Sequence, residues 1–254
     1  MHTNNETPAM TSPKQPLGKL PASAFGTLAL PRLPQALLEG YRALEDLTGM
    51  CSDAMDQLGI IGVVPGSTLR PTNPAARIVG QALTVKNVRI GKSVAEAVAG
   101  KVSGLGDIEA HNLAEPGDIL VVQGVPNVSS MGGIMATVAK RSGEAGAIVD
   151  GAVRDIDHSR AIGYPVWSSS VSPMTGKWRV QTVGINVPVL IAGVPVTPGD
   201  LVLADEVGVC FIPFARAAEV LAHVQGIAES EVRRIKTLED GISLAEFIGI
   251  KPKA

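Results

Sequence analysis

The chain has 254 residues, 45% of them hydrophobic and 18% charged, which excludes a disordered or fibrous protein and leaves one large domain or two small ones with a sizeable core. A formal net charge of −2 gives no electrostatic footprint for nucleic acid or an anionic membrane, and no apolar run reaches transmembrane length. Aromatic residues are only 3%, with 28 Gly and 18 Pro, so the core must be Ala, Val, Ile and Leu carried on many short elements. Residues 1–30 are rich in Thr, Pro, Asn, Ser and Lys. They predict a flexible extension, either a loose tail or an arm packed on a neighbouring subunit, ahead of one domain over 31–254. They lack the basic-then-apolar pattern of a signal peptide. Cys51 and Cys210 form no Cys-x-x-Cys pair, so a structural zinc is not expected and a cytoplasmic location is.

Residues 33–47 have helical spacing, with Leu37, Leu38, Tyr41 and Leu44 on one side. Ser52 reads as an N-cap, with Asp53 in the first turn of a short helix through Leu58. Residues 77–85 alternate and are β-rich, predicting a strand, and 93–101 and 107–114 predict helices. His111 has no partner by spacing and reads as a surface or interface histidine. Pro116-Gly117-Asp118 is a turn before a buried strand over 119–122, and 123–130 is a Gly/Pro/Asn/Ser loop that could border a site.

Gly132-Gly133 opens a segment with apolar residues at Ile134, Met135, Val138 and Ala139, which is helical spacing, and Gly143 is a plausible stop. Ala147-Ile148-Val149 has the size of a buried strand, and Gly151 punctuates it. Arg154-Asp155 then stands where a second helix begins, with Asp155 favoured by the helix dipole. Ligands of open α/β sheets bind beyond the carboxyl ends of the strands. One guanidinium, one carboxylate and free backbone N–H groups at such ends make an anion-plus-metal site. Further on, 164–167 and 187–192 predict strands, and the serines of 168–177 a loop. Pro198-Gly199-Asp200 echoes Pro116-Gly117-Asp118, each followed by an apolar strand, as a weak internal repeat or two ordinary turns. Strands over 201–203 and 209–212 lead to one long amphipathic helix from Phe214 to about Leu238.

The spacing of Gly133, twenty residues, then Arg154-Asp155 resembles the G-x20-R-D-x2-E/D signature of the RraA-like superfamily. Ser52-Asp53-Ala54-Met55-Asp56, Pro116-Gly117-Asp118, Pro198-Gly199-Asp200 and Asp205-Glu206-Val207-Gly208-Val209 fall where similar short motifs fall in that family, and the resemblance covers roughly residues 45–245. The superfamily includes class II pyruvate aldolases acting on 4-hydroxy-4-methyl-2-oxoglutarate and 4-carboxy-4-hydroxy-2-oxoadipate, and also the regulator of ribonuclease E activity. It implies an α/β fold, a layered α-β-β-α sandwich like the swivelling phosphohistidine-like domain, assembled as a homotrimer or homohexamer with sites between subunits. It implies a small 2-oxo acid as substrate and a divalent cation, Mg²⁺ or Mn²⁺, as cofactor, with no nucleic acid or membrane partner.

On that resemblance Arg154 and Asp155 are the catalytic pair and Asp155 the metal ligand. Gly132, Gly133, Ile134 and Met135 bind the substrate carboxylate through their amides. Lys177 resembles a lysine near the distal carboxylate, Glu231 a glutamate reaching into the neighbouring subunit's site, and Asp53 a residue near the site entrance. His158 stands where the family has Glu or Asp. It shares a helix face with Asp155, so its imidazole would accept a hydrogen bond from a metal water, bind the ion directly and favour softer metals, or mark lost metal affinity. No G-x-G-x-x-G, Walker loop, G-x-S-x-G or H-E-x-x-H occurs, so hydride transfer and nucleotide hydrolysis have no support. No lysine in an apolar strand stands out for imine chemistry. A class II aldolase with oxaloacetate decarboxylase side activity is the expectation, and a non-catalytic, protein-binding regulator the alternative. Asp155 favours the enzyme.

Overall fold

The computed structural model describes residues 14–101 and 103–249, apart from the side chains of Glu229 and Glu231. Helices α1 (Gln35–Arg42) and α2 (Leu47–Gln57) precede strands β1 (Val63–Pro65), β2 (Arg70–Pro71) and the long β3 (Ile78–Arg89). Next come α3 (Val94–Ala99), α4 (Asp107–Leu113), β4 (Ile119–Gln123), β5 (Ser129–Met131), α5 (Gly133–Arg141), β6 (Gly146–Val153), α6 (Ile156–Ala161) and β7 (Val166–Val171). The remainder is β8 (Val180–Ile185), β9 (Val189–Ile191), β10 (Val194–Val196), β11 (Leu201–Ala204), β12 (Gly208–Ile212), α7 (Ala217–Glu239) and α8 (Leu244–Phe247).

Ten strands share one mixed sheet in the order β1-β12-β11-β3-β4-β6-β7-β2, with β5 on β6 and β8 on β3. Its middle, β3-β4-β6-β7, is parallel, and β11, β12 and β1 continue it antiparallel. Strand β3 serves both halves: its residues 78–81 pair with β11, and 85–89 pair with β8 across a register shift at Lys86/Asn87.

The burial pattern explains the layering. On β11 and β12, Leu201, Leu203, Cys210 and Ile212 face α1, α2 and α7, while their neighbours Val202, Ala204, Val209 and Phe211 face the other way. Those neighbours join Ile119, Val121, Ile148 and Trp167 from β4, β6 and β7 in an inner layer closed by the β9–β10 hairpin. The alternate residues Leu120, Val122, Ala147, Val149 and Val166 face α4 and α5. Period-two alternation on strands buried from both sides therefore yields helix, sheet, sheet, helix. Cys51 and Cys210 are free and lie in the first helical layer, where burial pushes the Cys51 thiol up to about 12. That makes Cys51 inert.

Several local expectations give way to tertiary contacts. The cap of α2 is Asp46, whose Oδ1 accepts the Gly49 N–H at 3.0 Å, so Ser52 and Asp53 lie inside the helix rather than at its start. His111 is not at the surface but buried, its Nδ1 2.7 Å from Glu144 Oε1. Gly151 lies within β6, and Ser168–Ser170 belong to β7 rather than to a loop. Ser129 and Ser130, placed in the 123–130 loop by the sequence, open β5. The two Pro-Gly-Asp turns are alike in detail. Gly117 and Gly199 both have φ +89°, and Asp118 and Asp200 each close the turn by accepting the N–H three residues back, at 2.9 and 2.8 Å. Residues 14–30 lie along the domain: Asn112 Nδ2 donates to the Gln15 carbonyl at 2.8 Å, Ala24 is buried, and Phe25 bridges to Ile185. Residues 1–13 lie outside the described residues. Among the described residues no helix is long and apolar enough to cross a membrane.

Candidate active site

Strands β5 and β6 run parallel, and each hands its chain to a helix at the same edge of the sheet. After β5, Gly132 caps α5 in extended conformation, φ −139° and ψ −173°, with no side-chain cap. After β6, Arg154 N–H donates to the Met131 carbonyl at 3.0 Å, and Asp155 caps α6 in the left-handed region, φ 54° and ψ 38°. That region is uncommon for a non-glycine residue, with Asp among the better tolerated. The turn swings the Asp155 carboxylate back over the start of α5, where Oδ2 accepts the Gly133 N–H at 2.9 Å.

This close approach explains both glycines. A Cβ on Gly132 would stand 2.8 Å from Asp155 Oδ2 and 3.0 Å from Arg154 Nε, and one on Gly133 would stand 3.1 Å from His158 Cδ2. Any larger residue at 132 would push Arg154 and Asp155 aside. Arg154 Nε lies 3.6 Å from Asp155 Oδ2, and both side chains are about half exposed. With its Gly133 amide taken by Asp155, α5 still offers the amides of Ile134 and Met135. They belong to the first turn, which has no intrahelical acceptor, at the positive end of the dipole.

Arg154 and Asp155 line one cleft of about 260 Å³ with the whole Gly132–Met135 turn and Lys177. Lys177 also lies over the Trp178 ring, 4.5 Å from its centroid. The buried hydroxyl of Ser130 lines the same cleft and finds no partner among the described residues. His158 is set apart. It lines a shallower depression on the other side of Asp155, with Gly133, Ile134 and Thr137. The Thr137 hydroxyl donates its proton to the Gly133 carbonyl at 2.9 Å, so at the 2.9 Å contact between Thr137 Oγ1 and His158 Nε2 the ring must donate. A neutral His158 therefore carries its lone pair on Nδ1.

Two expected residues lie elsewhere. Asp53 on α2 lines a separate depression with His223, Gly226 and Arg234 of α7. Glu231 falls within α7, and its side chain lies outside the described residues. Two further charged residues line the cleft without a sequence signal: Lys19, from the segment before α1, and Asp107, at the start of α4. Burial raises the Asp107 pKa, and the nearby charges of His111 and Lys19 offset part of that. For His111 burial pulls the pKa down, but the hydrogen bond and charge of Glu144, with Asp107, outweigh it and the net shift is upward. No sequence pattern links Lys19 to Arg154, because only the path of the N-terminal segment over the domain brings them together.

Among the described residues no group of three or more His, Cys, Asp and Glu side chains could hold a metal ion. A smaller donor set is present. Asp155 Oδ2 is engaged by the Gly133 amide, while Oδ1 has no hydrogen bond among the described residues. One carboxylate open to solvent suits a hard, mostly hydrated cation.

Comparison with known proteins gives a consistent picture. The model of the RraA-like family, described as Aldolase/RraA, matches residues 48–211. A protein of Halalkalibacterium halodurans provisionally named a 4-hydroxy-4-methyl-2-oxoglutarate aldolase is 32% identical over 197 residues, 77% of this chain and 86% of the relative. The 4-hydroxy-4-methyl-2-oxoglutarate aldolase of Thermus thermophilus is 34% identical over 100 residues, 38% of this chain and 60% of the relative. Among solved structures, Streptomyces coelicolor RraAS2, described as an unusual member of the RNase ES inhibitor RraA family, superposes with a TM-score of 0.67 at 24% identity, over 82% of this chain and 99% of that one. That likeness is one of fold.

Proposed function

The chain belongs to the RraA-like family, and from that membership we propose that it is a carbon–carbon lyase cleaving a 4-hydroxy-2-oxo di- or tricarboxylic acid to pyruvate and a second 2-oxo acid. The observation that carries this reading is the convergence of Arg154, Asp155 and the first turn of α5 on one cleft. An arginine fork and two unpaired amides at a helix start suit the carboxylate and keto oxygen of a pyruvyl group. Breaking the C3–C4 bond of such an acid places negative charge on the keto oxygen. Loss of CO₂ from oxaloacetate places the same charge there, so decarboxylation is expected from the same residues.

Asp155 would hold Mg²⁺ or Mn²⁺ largely through water, without His158, which lies outside the cleft. When bound, the ion supplies electrostatic stabilisation to the developing charge on the keto oxygen. Arg154 supplies charge of the same sign from the protein itself and orients the C2 carbonyl. The Gly133–Asp155 hydrogen bond holds the carboxylate in place, so Asp155 need not reorganise as charge develops.

The positions of Asp53 and Glu231 support an assembled site. Asp53 lines a depression on the α2–α7 face that shares no residue with the Arg154 cleft, and Glu231 is a residue of α7. A homotrimer or homohexamer in which this face covers a neighbour's cleft would bring them to the substrate.

The test is pyruvate release, coupled to lactate dehydrogenase, from oxaloacetate, 4-hydroxy-4-methyl-2-oxoglutarate and 4-carboxy-4-hydroxy-2-oxoadipate. It is run with Mg²⁺, with Mn²⁺ and with EDTA, beside Asp155→Ala. Release that depends on metal and is lost in the variant supports the proposal. No release with any metal, together with capture of a ribonuclease by the purified protein, would favour the regulator.

A further inference from the structure

Residues 14–33 do more than precede the domain. Glu109 on α4 is fully buried, and its carboxylate accepts the N–H of Leu17 at 2.6 Å and also the N–H of Lys19. Leu20 rests on Gly106, where a Cβ would meet its Cδ1 at 2.6 Å, and Phe25 and Leu28 pack on the α4–α5 side of the sheet. Downstream, Gly26 N–H donates to the Ile185 carbonyl at 2.9 Å, Leu33 N–H donates to Gln81 at 2.9 Å, and Arg32 pairs with Asp118. The segment is thus a strap fixed at both ends. A buried carboxylate holds the two amides that flank Gly18, and this sets where the Lys19 side chain emerges. Lys19 lines the cleft, on the wall that carries Asp107, and also an adjoining depression with Ser23, Ser103 and Gln181.

The charges in the cleft are then Arg154, Lys177 and Lys19 against Asp155 and Asp107. If Asp155 serves a metal ion, and Arg154 with the α5 amides the pyruvyl group, Lys177 and Lys19 remain for the rest of the substrate, with Asp107 beside Lys19. A dicarboxylate such as 4-hydroxy-4-methyl-2-oxoglutarate has one carboxylate left to offer, whereas 4-carboxy-4-hydroxy-2-oxoadipate has two. Lys19 lies outside the 48–211 span that matches the family model.

We propose that Lys19, presented by the Glu109-fastened strap, binds a second distal carboxylate and selects tricarboxylic over dicarboxylic 4-hydroxy-2-oxo acids; this rests on the lyase reading above. Lys19 is exposed and its side chain supports no core packing, so its substitution leaves the fold intact.

The experiment measures kcat/KM for 4-carboxy-4-hydroxy-2-oxoadipate and for 4-hydroxy-4-methyl-2-oxoglutarate with the full chain and its Lys19→Gln and Lys19→Arg variants, and pyruvate binding by calorimetry for all three. The wild type is expected to prefer the tricarboxylate. Lys19→Gln should lower that preference about 10- to 100-fold, the worth of one charge-assisted contact, through KM rather than kcat. Lys19→Arg should restore most of it, and pyruvate binding should not change. An unchanged preference in Lys19→Gln, or a wild type that binds pyruvate yet prefers neither acid, overturns the role of Lys19 alone. A wild type that neither binds pyruvate nor cleaves either acid overturns the lyase reading and this assignment with it.

Discussion

Asp155 carries three demands at one position: a left-handed backbone, an acceptor for the Gly133 amide, and a negative charge open to the cleft. Substitutions separate them. Asn tolerates the same backbone and can still accept from Gly133 through its amide oxygen, but it is neutral. Asp155→Asn should therefore keep the wild-type melting temperature while losing at least about 100-fold in pyruvate release, the scale of one removed electrostatic contact in a site. Asp155→Ala should lose activity and also about 1 kcal/mol of stability from its left-handed backbone, measured by urea unfolding. Gly132 makes a purely steric demand, since its φ of −139° and ψ of −173° suit any residue. Gly132→Ala should still fold, but its Cβ would displace Arg154 and Asp155, raising KM and lowering kcat together in the coupled assay. The sequence displays this much of the site because Gly132, Arg154 and Asp155 stand at the starts of helices that follow strands, where short-range spacing dictates placement. It does not display the left-handed turn that fastens Asp155 to Gly133.

Element by element, the α4–α5 layer holds an unusual polar group for so apolar a core. His111 pairs with Glu144, Glu144 Oε2 accepts from Tyr164 at 2.9 Å, and His111 Nε2 has no partner among the described residues. The groups around His111 are Glu144, Asp107 and, through Glu144, Tyr164. Their combined effect raises its pKa, so in the native state it keeps its proton to higher pH than in the unfolded chain. The stabilisation is complete below the unfolded value of about 6.5 and is lost as pH rises through the folded one. Scanning calorimetry across pH 6 to 8.5 should show a melting temperature that falls with pH, and His111→Gln should flatten that slope. A slope of equal size in the variant would assign it to other groups. Burial raises Asp107 and Asp118 in the same sense, adding a loss of stability as pH rises through the acid range. Reading His111 as a surface residue failed because spacing along α4 says nothing of Glu144, which arrives from the loop after α5.

For the whole molecule, the question is what covers the α2–α7 face. The second half of α7 leaves Val232 and Ile235 exposed at 68% and 56%, and Asp53 lies in the depression beside that helix. With the family's assembly as the expectation, light scattering should give a trimer or a hexamer. Ile235→Asp, which places a charge on an apolar surface without touching the core, should shift it toward monomer. Pyruvate release should fall in parallel, because Glu231 would no longer reach a neighbour's cleft. A monomeric wild type with full activity would refute the shared site. Sequence helped only in part here. It displayed an amphipathic helix from Phe214 onward, but an apolar stripe on a helix does not say whether its own domain or a neighbour receives it.

The amino-acid sequence by itself determined the α/β class, the elements with clear period-two or helical spacing, the family, and the convergence of Gly132, Arg154 and Asp155. Those features depend on residues near one another along the chain, where turn chemistry and alternation act directly. The tertiary structure alone decided that Asp46 caps α2, that His111 is buried against Glu144, that His158 stands behind Asp155 rather than in the cleft, and that Lys19 enters it. Each of these rests on a contact between segments far apart in the sequence or on a backbone turn of positive φ. Local periodicity carries no record of either.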